Sequence, residues 1–474
     1  MTLEQVQQII SDNEIRTIDL KYCDLAGRWY HIAFPARRLE YVMEHGISFD
    51  GSSIPGMKSV ESGDMVIIPD LSTANIDPFS AHKTLRIICN ICEADTREGV
   101  SKDPKSVADR AYEYLKETGI ADTALWIPEL EFHLFDTAEI YNGDFSAGFD
   151  FTSSESRKNL PDDDDGLDAV AQDFRKGYHM DVPFDQFSDV RQEMVNLMED
   201  MGMTIRYHHH EVGLSAQQEI ETEPSPFPKI ASDVFWMKDI IRQIALENGL
   251  SATFMPKPLH NEAGNGMHFH IQLRKNGKNI FYKKGNYADL SEEALYFIGG
   301  ILKHGPSITA ITNPSTNSFK RLLPGFEAPV QLFFGLANRS AAIRIPKYAT
   351  SEDSKRIEFR TGDATANSYL AMSALLMAGL DGIKNKIMPT KENGYGPFDD
   401  NVHSWNEKQL EKLHHIPTSL EDALKALKED HEYLLAGGVF NKELIESFIS
   451  EKMKEVRALA RRPHPFEMEM YYNL

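Results

Sequence analysis

Residues 126–135 read WIPELEFHLF, and their alternation decides which kind of fold can hold this chain. Strand side chains point to opposite faces in turn. Leu130, Phe132 and Leu134 therefore fall on one face, and Glu129, Glu131 and His133 on the other. Residues 266–273, GMHFHIQL, repeat the device, with Met267, Phe269 and Ile271 opposed to His268, His270 and Gln272. Residues 356–360, RIEFR, do so again, with Arg356, Glu358 and Arg360 opposed to Ile357 and Phe359. Each stretch alone fits an ordinary strand with one face in water. Together they predict a sheet whose apolar face meets the core and whose charged faces converge. Clustered glutamates cannot all stay ionised without positive charge among them, and metal ions or arginines are the available sources.

Residues 208–219, HHHEVGLSAQQE, add Glu211 and Glu219, and Gly213 and Ser215 make a loop or strand-turn a better reading than a helix. A donor set of carboxylates with one or two imidazoles suits Mg²⁺ or Mn²⁺ better than zinc. Arg321, Arg339, Arg344, Arg356 and Arg360 follow in an otherwise acidic chain. Guanidinium forks grip carboxylates and phosphates in bidentate fashion. Carboxylate-held divalent ions beside arginines describe phosphoryl transfer, where positioning and charge neutralisation supply most of the catalysis. Residue chemistry thus reaches a metal-dependent phosphoryl-transfer enzyme with an anionic substrate. It does not name the acceptor.

The bulk properties agree. A chain of 474 residues, 41% hydrophobic and 10% aromatic, can bury more than one core, so two domains are expected. A formal charge of -22 argues against a nucleic-acid or membrane-surface binder. Cys89 and Cys92 lie in a strand-like run and point to opposite faces, which favours buried small side chains over a zinc or redox pair. The low cysteine count, the absence of a signal peptide and the lack of a long apolar run predict a cytoplasmic protein. Strands are expected over 15–23 and 28–34, joined at Ala26-Gly27, and over 85–92. Asp103 and Pro104 cap a helix running to about Thr118. The domain boundary is placed there, giving residues 1–102 and 103–474. Further helices are expected over 231–247, 370–384, 419–434 and 442–460, and Tyr141 to Arg175, with Asp162 to Asp165, as a surface excursion.

The blocks FDGSS (49–53), PELEF (128–132), HHHEV (208–212), FMPKP (254–258), GNGMH (264–268), residues 313–329, NRS (338–340), RIP (344–346), EFR (358–360) and EMYY (469–472) resemble type I glutamine synthetase in order and spacing across nearly the whole chain. The resemblance implies an α+β chain: an N-terminal β-grasp-like domain, then a catalytic domain whose antiparallel sheet, flanked by helices, carries the metal ligands. It implies two stacked hexameric rings. It assigns one metal to Glu131, Glu211 and Glu219 and a second to Glu129, His268 and Glu358. Arg321, Arg339, Arg360 and the backbone at Gly264 would grip L-glutamate. His270, Gln272, Arg344 and Arg356 would meet ATP, with Arg344 on the transferring phosphate. Glu327 would close an active-site flap, and Asp50 of a neighbouring subunit would deprotonate ammonium held near Tyr178 and Glu211. The implied reaction phosphorylates the γ-carboxylate of glutamate, then lets ammonia displace phosphate. An amine acceptor such as a polyamine is the alternative, and a catalytically inert assembly a more distant one.

Four departures fall near these residues: Ala263 and Gln272 stand for an Asn and a Ser, Arg206 for a nucleotide-contacting Glu, and Glu352 or Asp353 for a Lys, with one extra residue between Arg344 and Glu358. Tyr395 sits where one subtype is adenylylated, but the Gly396-Pro-Phe-Asp-Asp400 that follows predicts no such regulation.

Overall fold

The structure is a computed structural model and describes residues 1–160, 169–325 and 328–474. Asp162 to Asp165 and Glu327 lie outside the described residues.

The N-terminal part is a mixed sheet. Strands β1 (Thr17–Cys23), β2 (Trp29–Pro35), β3 (Ile47–Asp50), β4 (Asp64–Pro69) and β5 (Thr84–Glu93) lie in the order β2-β1-β5-β4-β3. The expected hairpin joins β1 to β2. Its turn is closed by the Gly27 N–H donating to the Asp24 carbonyl, with Gly27 at a φ of 83° that glycine adopts without strain. Strand β5 runs parallel to β1 and antiparallel to β4. It is buried on nearly every residue because it sits mid-sheet with cover on both faces. Cys89 and Cys92 are buried free thiols. A β-grasp domain is the fold this order describes.

This sheet has its own apolar core, drawn from Val6 to Val100. Cys23, Leu25 and Ile88 instead join the larger core of the remaining chain. Arg86 seals the seam: its guanidinium lies 4.6 Å from the Trp236 ring and donates to Asp239 at 2.6 Å.

Helix α1 (Pro104–Glu117) begins as expected, with the Asp103 carboxylate accepting from the Ser106 N–H at 3.1 Å. Burial pushes that carboxyl up to about 6. Helix α2 (Lys229–Glu247) packs on the catalytic sheet, and α3 (Ser368–Asn385) packs against both α1 and α2. The expected helix over 419–434 is instead two, Leu420–Glu429 and Glu432–Leu435. Asp430 breaks it, turning its carboxylate to His304 at 2.8 Å.

The catalytic sheet contains β6 (Thr123–Phe135), β7 (Ile205–His210), β8 (Gln217–Thr222), β9 (Met267–Lys275), β10 (Ile343–Ile345) and β11 (Ile357–Phe359), in the order β7-β8-β6-β9-β11-β10. These pairs are all antiparallel. Among the described residues, the parallel pair in this sheet is at its edge, Phe334–Leu336 on β10. The surface excursion holds for an exposed hairpin over residues 137–152. Beyond it the chain dives inward, and buried Glu155 meets His210 Nε2 at 2.9 Å.

Candidate active site

Strand register converts the alternating motifs into rows across the sheet. One row runs His209, Glu219, Glu131; the next runs Tyr207, Glu221, Glu129, His268; a third runs Ile127, His270, Glu358, Arg344. Glu131 therefore faces Glu219 directly, and Glu129 faces Glu221. Like charges directly opposite one another destabilise a sheet. The rows floor a cleft of about 300 Å³ lined also by Tyr178, Arg206, Ala263, Gly264, Arg321 and Arg339. Each glutamate on this floor is at least nine-tenths buried except Glu211, so the charged face is sequestered and not solvated.

The imidazoles neutralise one carboxylate well. His268 Nδ1 lies 2.9 Å from one Glu129 oxygen, and His270 Nε2 lies 2.7 Å from the other. Burial alone would raise Glu129, but His270 and His268 hold it well below the usual range. Glu358 is likewise lowered: burial opposes ionisation, and Arg360, bonded to one oxygen, leads the charges that outweigh it, with Arg344 on the other. Glu219 fares differently. Burial, then Glu129, Glu211 and Glu131, push it well above the usual range. Glu221 is raised by burial and by Glu129. The described cations therefore leave the Glu219 end of the floor short of positive charge.

Groups of donor atoms close enough to share one cation are Glu129–His270–Glu358, His209–Glu211–Glu219 and Glu129–Glu219–Glu221. Of the expected ligands, Glu129 and Glu358 meet in the first and Glu211 and Glu219 in the second. His268 bridges Glu129 and Glu131, its Nε2 lying 3.8 Å from Glu131. His209, His270 and Glu221 were not among the expected ligands. His209 was inside the quoted histidine run, and a period-2 reading of residues 217–221 would have put Glu221 on the same face as Glu219.

Loops hold this floor rigid. Gln217 Nε2 donates to the Gly264 carbonyl and to Asn265 Oδ1, each at 3.1 Å. Glu131 accepts from the Gly266 N–H at 2.6 Å. A Cβ on Gly264 would meet the Pro256 carbonyl at 2.3 Å, and one on Gly266 would meet Arg321 and His268, so both close approaches require glycine. Buried Glu262 accepts from the Ala263, Leu214 and Arg175 N–H groups, fixing the loop at Ala263. His133, on the glutamate side of its strand, stays out of the cleft. It lies 2.8 Å from Asn265, and burial lowers it to about 3, so it stays neutral.

Arg321 spans the back wall, donating to the Thr361 carbonyl at 2.9 Å and lying 3.2 Å from His268 Nε2. Arg360 donates to the Arg339 carbonyl as well as to Glu358. Tyr178, half exposed, stacks on His179 at the mouth. Arg344 and Arg356 flank the exposed Tyr348 ring at 5.8 and 5.3 Å. Gln272 sits deeper, donating to the Asp353 carbonyl. Asp50 is the outlier: it lies exposed at the end of β3, outside the cleft of its own chain. Hydrogen bonds from Ser52 and then Ser53 hold its carboxyl below the usual range. Tyr395 stacks on His414 at 4.4 Å, also outside the cleft.

Comparison with known proteins agrees with this geometry. The family model "Glutamine synthetase, catalytic domain" matches residues 101–471, and "Glutamine synthetase, beta-Grasp domain" matches residues 14–94. A glutamine synthetase of Aquifex aeolicus is 43% identical over 474 residues, covering 100% of this chain and 99% of the relative. The glutamine synthetase of Salmonella typhimurium is 43% identical over 476 residues and 100% of both chains. The structure also superposes on a Plasmodium falciparum glutamine synthetase with a TM-score of 0.90 at 28% identity, covering 100% of this chain and 99% of that one. The chain belongs to the glutamine synthetase family, a glutamate–ammonia ligase that makes glutamine from glutamate and ammonia at the expense of ATP.

Proposed function

We propose that the cleft over Glu129, Glu131, Glu219 and Glu358 is where the γ-carboxylate of glutamate attacks the terminal phosphorus of ATP and where ammonia then displaces phosphate. The observation that carries this reading is the pairing of Glu131 with Glu219 and of Glu129 with Glu221. Such buried like-charge pairs are sustained by added cations. The donors fit hard divalent ions, since they are carboxylate oxygens with a few imidazoles. Glu131, Glu211 and Glu219 would hold one ion, Glu129, His268 and Glu358 a second. Bound Mg²⁺ or Mn²⁺ would supply charge neutralisation for the phosphates of ATP.

The protein's own groups do the rest. Arg321, Arg339 and Arg360, with the backbone at Gly264, orient glutamate so that its γ-carboxylate faces the phosphate. Arg344, beside Glu358, stabilises charge on the transferred phosphoryl group. His270, Gln272 and Arg356 line the nucleotide's side. Tyr178 and Glu211 hold ammonium, and Asp50 of an adjacent copy takes its proton. That carboxyl's lowered position keeps it ionised and able to accept. Ammonia adds to the γ-carbonyl carbon, the carbon–oxygen bond to phosphate breaks, and glutamine forms. Glu327 would close the flap and exclude water from the acyl phosphate. The exposed position of Asp50 supports an assembly with active sites between subunits, for which a dodecamer of two rings is the reading, with the chain divided between residues 102 and 103 and working in the cytoplasm. No helix among the described residues is long and apolar enough to cross a membrane.

The test is ADP release in Mg²⁺ or Mn²⁺ with glutamate, with and without ammonium. Release that needs both substrates is expected. ADP formation indifferent to glutamate would overturn the reading.

A further inference from the structure

Most arginines on the cleft wall spend their donors inside the protein. Arg344 and Arg360 take the two oxygens of Glu358. Arg321 is bound to the carbonyls of Thr361 and Gly362 and lies against His268. Arg206 differs. It lines the cleft, its side chain is 28% exposed, and among the described residues its hydrogen-bond partner is Glu221, with Nη1 donating to Oε1 at 2.5 Å. Its guanidinium carbon lies 5.3 Å from the Tyr207 ring. One arm of the fork is thus pinned while Nε and Nη2 remain for a ligand.

The anchor is built for this purpose. Glu221 has no exposed side-chain surface, and Arg206 and Tyr207 are the groups held against its carboxylate. Burying a carboxylate costs free energy unless a charge partner is held against it, so Arg206 cannot swing into solvent cheaply. Tyr207 closes one side by cation–π contact. Arg206 also sits beside Tyr348, the ring flanked by Arg344 and Arg356. A planar guanidinium with a free pair of donors matches a phosphate oxygen pair.

We propose that Arg206 binds the phosphate chain of the nucleotide and that Glu221 is its positioning residue, locking the fork toward the cleft. This rests on the ligase reading above and assigns to this chain a phosphate contact of its own.

Two measurements test it. The first is calorimetric binding of ADP, and separately of adenosine, in Mg²⁺. The second is the KM for ATP and for glutamate. Arg206→Gln should weaken ADP about tenfold, the worth of a charge-assisted hydrogen bond, while adenosine binding stays within about twofold. The KM for ATP should rise by a similar factor, with that for glutamate little changed. Arg206→Lys should recover part of the loss, because it restores charge without the fork. Glu221→Gln should weaken ADP less than Arg206→Gln, and the double variant should be no worse than Arg206→Gln alone. Equal losses of ADP and adenosine, or additive single effects, would overturn the proposal even if wild-type ligase activity is present. Absence of glutamate-dependent ADP release in wild type would instead strike the ligase reading.

Discussion

Two polar clusters in this molecule look alike in composition and behave as opposites. At His304, an imidazole with 5% side-chain exposure lies 2.8 Å from Asp430 and 3.0 Å from Asp381, and Ser307 and Tyr433 complete the ring of partners. Burial would lower His304, but the hydrogen bonds to Asp381 and Asp430 raise it overall. The cluster is closed: one imidazole and two carboxylates, each with a partner. In the cleft, Glu131 faces Glu219, while the arginines nearby are bound to Glu358, to Glu221 or to carbonyls. That cluster is open. A closed cluster is part of the framework, whereas an open one held rigid by Gln217 and Glu262 is arranged around something it has yet to bind.

The widest separation between the two should come from Glu131→Ala. Metal-dependent ADP release should fall about a thousandfold or more, with the assembly size by light scattering unchanged. Retained activity would mean that the open cluster is not the site. His304→Ala, by contrast, should leave KM and kcat within about twofold and cost roughly 2–3 kcal/mol of stability by denaturant unfolding. Its pH dependence has a defined sign. A raised His304 contributes stability below the unfolded imidazole value near about 6.5, and loses it as pH rises through the folded value. Asp381 is lowered, chiefly by its hydrogen bond from His304, so its share is lost as pH falls below about 4. The difference between wild type and His304→Ala should therefore peak between those limits and shrink on either side.

The smallest effect sharpens the contrast further. Glu219 is raised by burial and neighbouring carboxylates, so in metal-free protein its contribution falls as pH rises. Glu219→Gln should then stabilise the metal-stripped protein at pH 8, on the order of 1 kcal/mol, and reduce the stabilisation by Mn²⁺. A variant less stable than wild type without metal would show that the open cluster is balanced by the protein itself.

Much of this was legible beforehand because alternation is local. The faces of residues 126–135, 266–273 and 356–360, the Asp103 cap and the arginine supply needed only period and propensity. Pairing register was not legible, since it depends on which strand lies beside which. That is why the pairing of Glu221 with Glu129 escaped notice, and why His270 appeared as a nucleotide contact although the sheet sets it against Glu129 and Glu358. The inward turn at Glu155 was hidden by the polarity of its surroundings, which reads as surface until His210 is seen opposite. Asp50 carries no local signal beyond a turn, and its own chain leaves it outside the cleft.

The central claim is that the carboxylate floor is completed by divalent ions. A calorimetric titration of metal-stripped protein with Mn²⁺ tests it most directly. Wild type should bind at least two ions per chain, and Glu131→Ala and Glu219→Gln should each lose one. An unchanged stoichiometry and affinity in both variants would contradict the account.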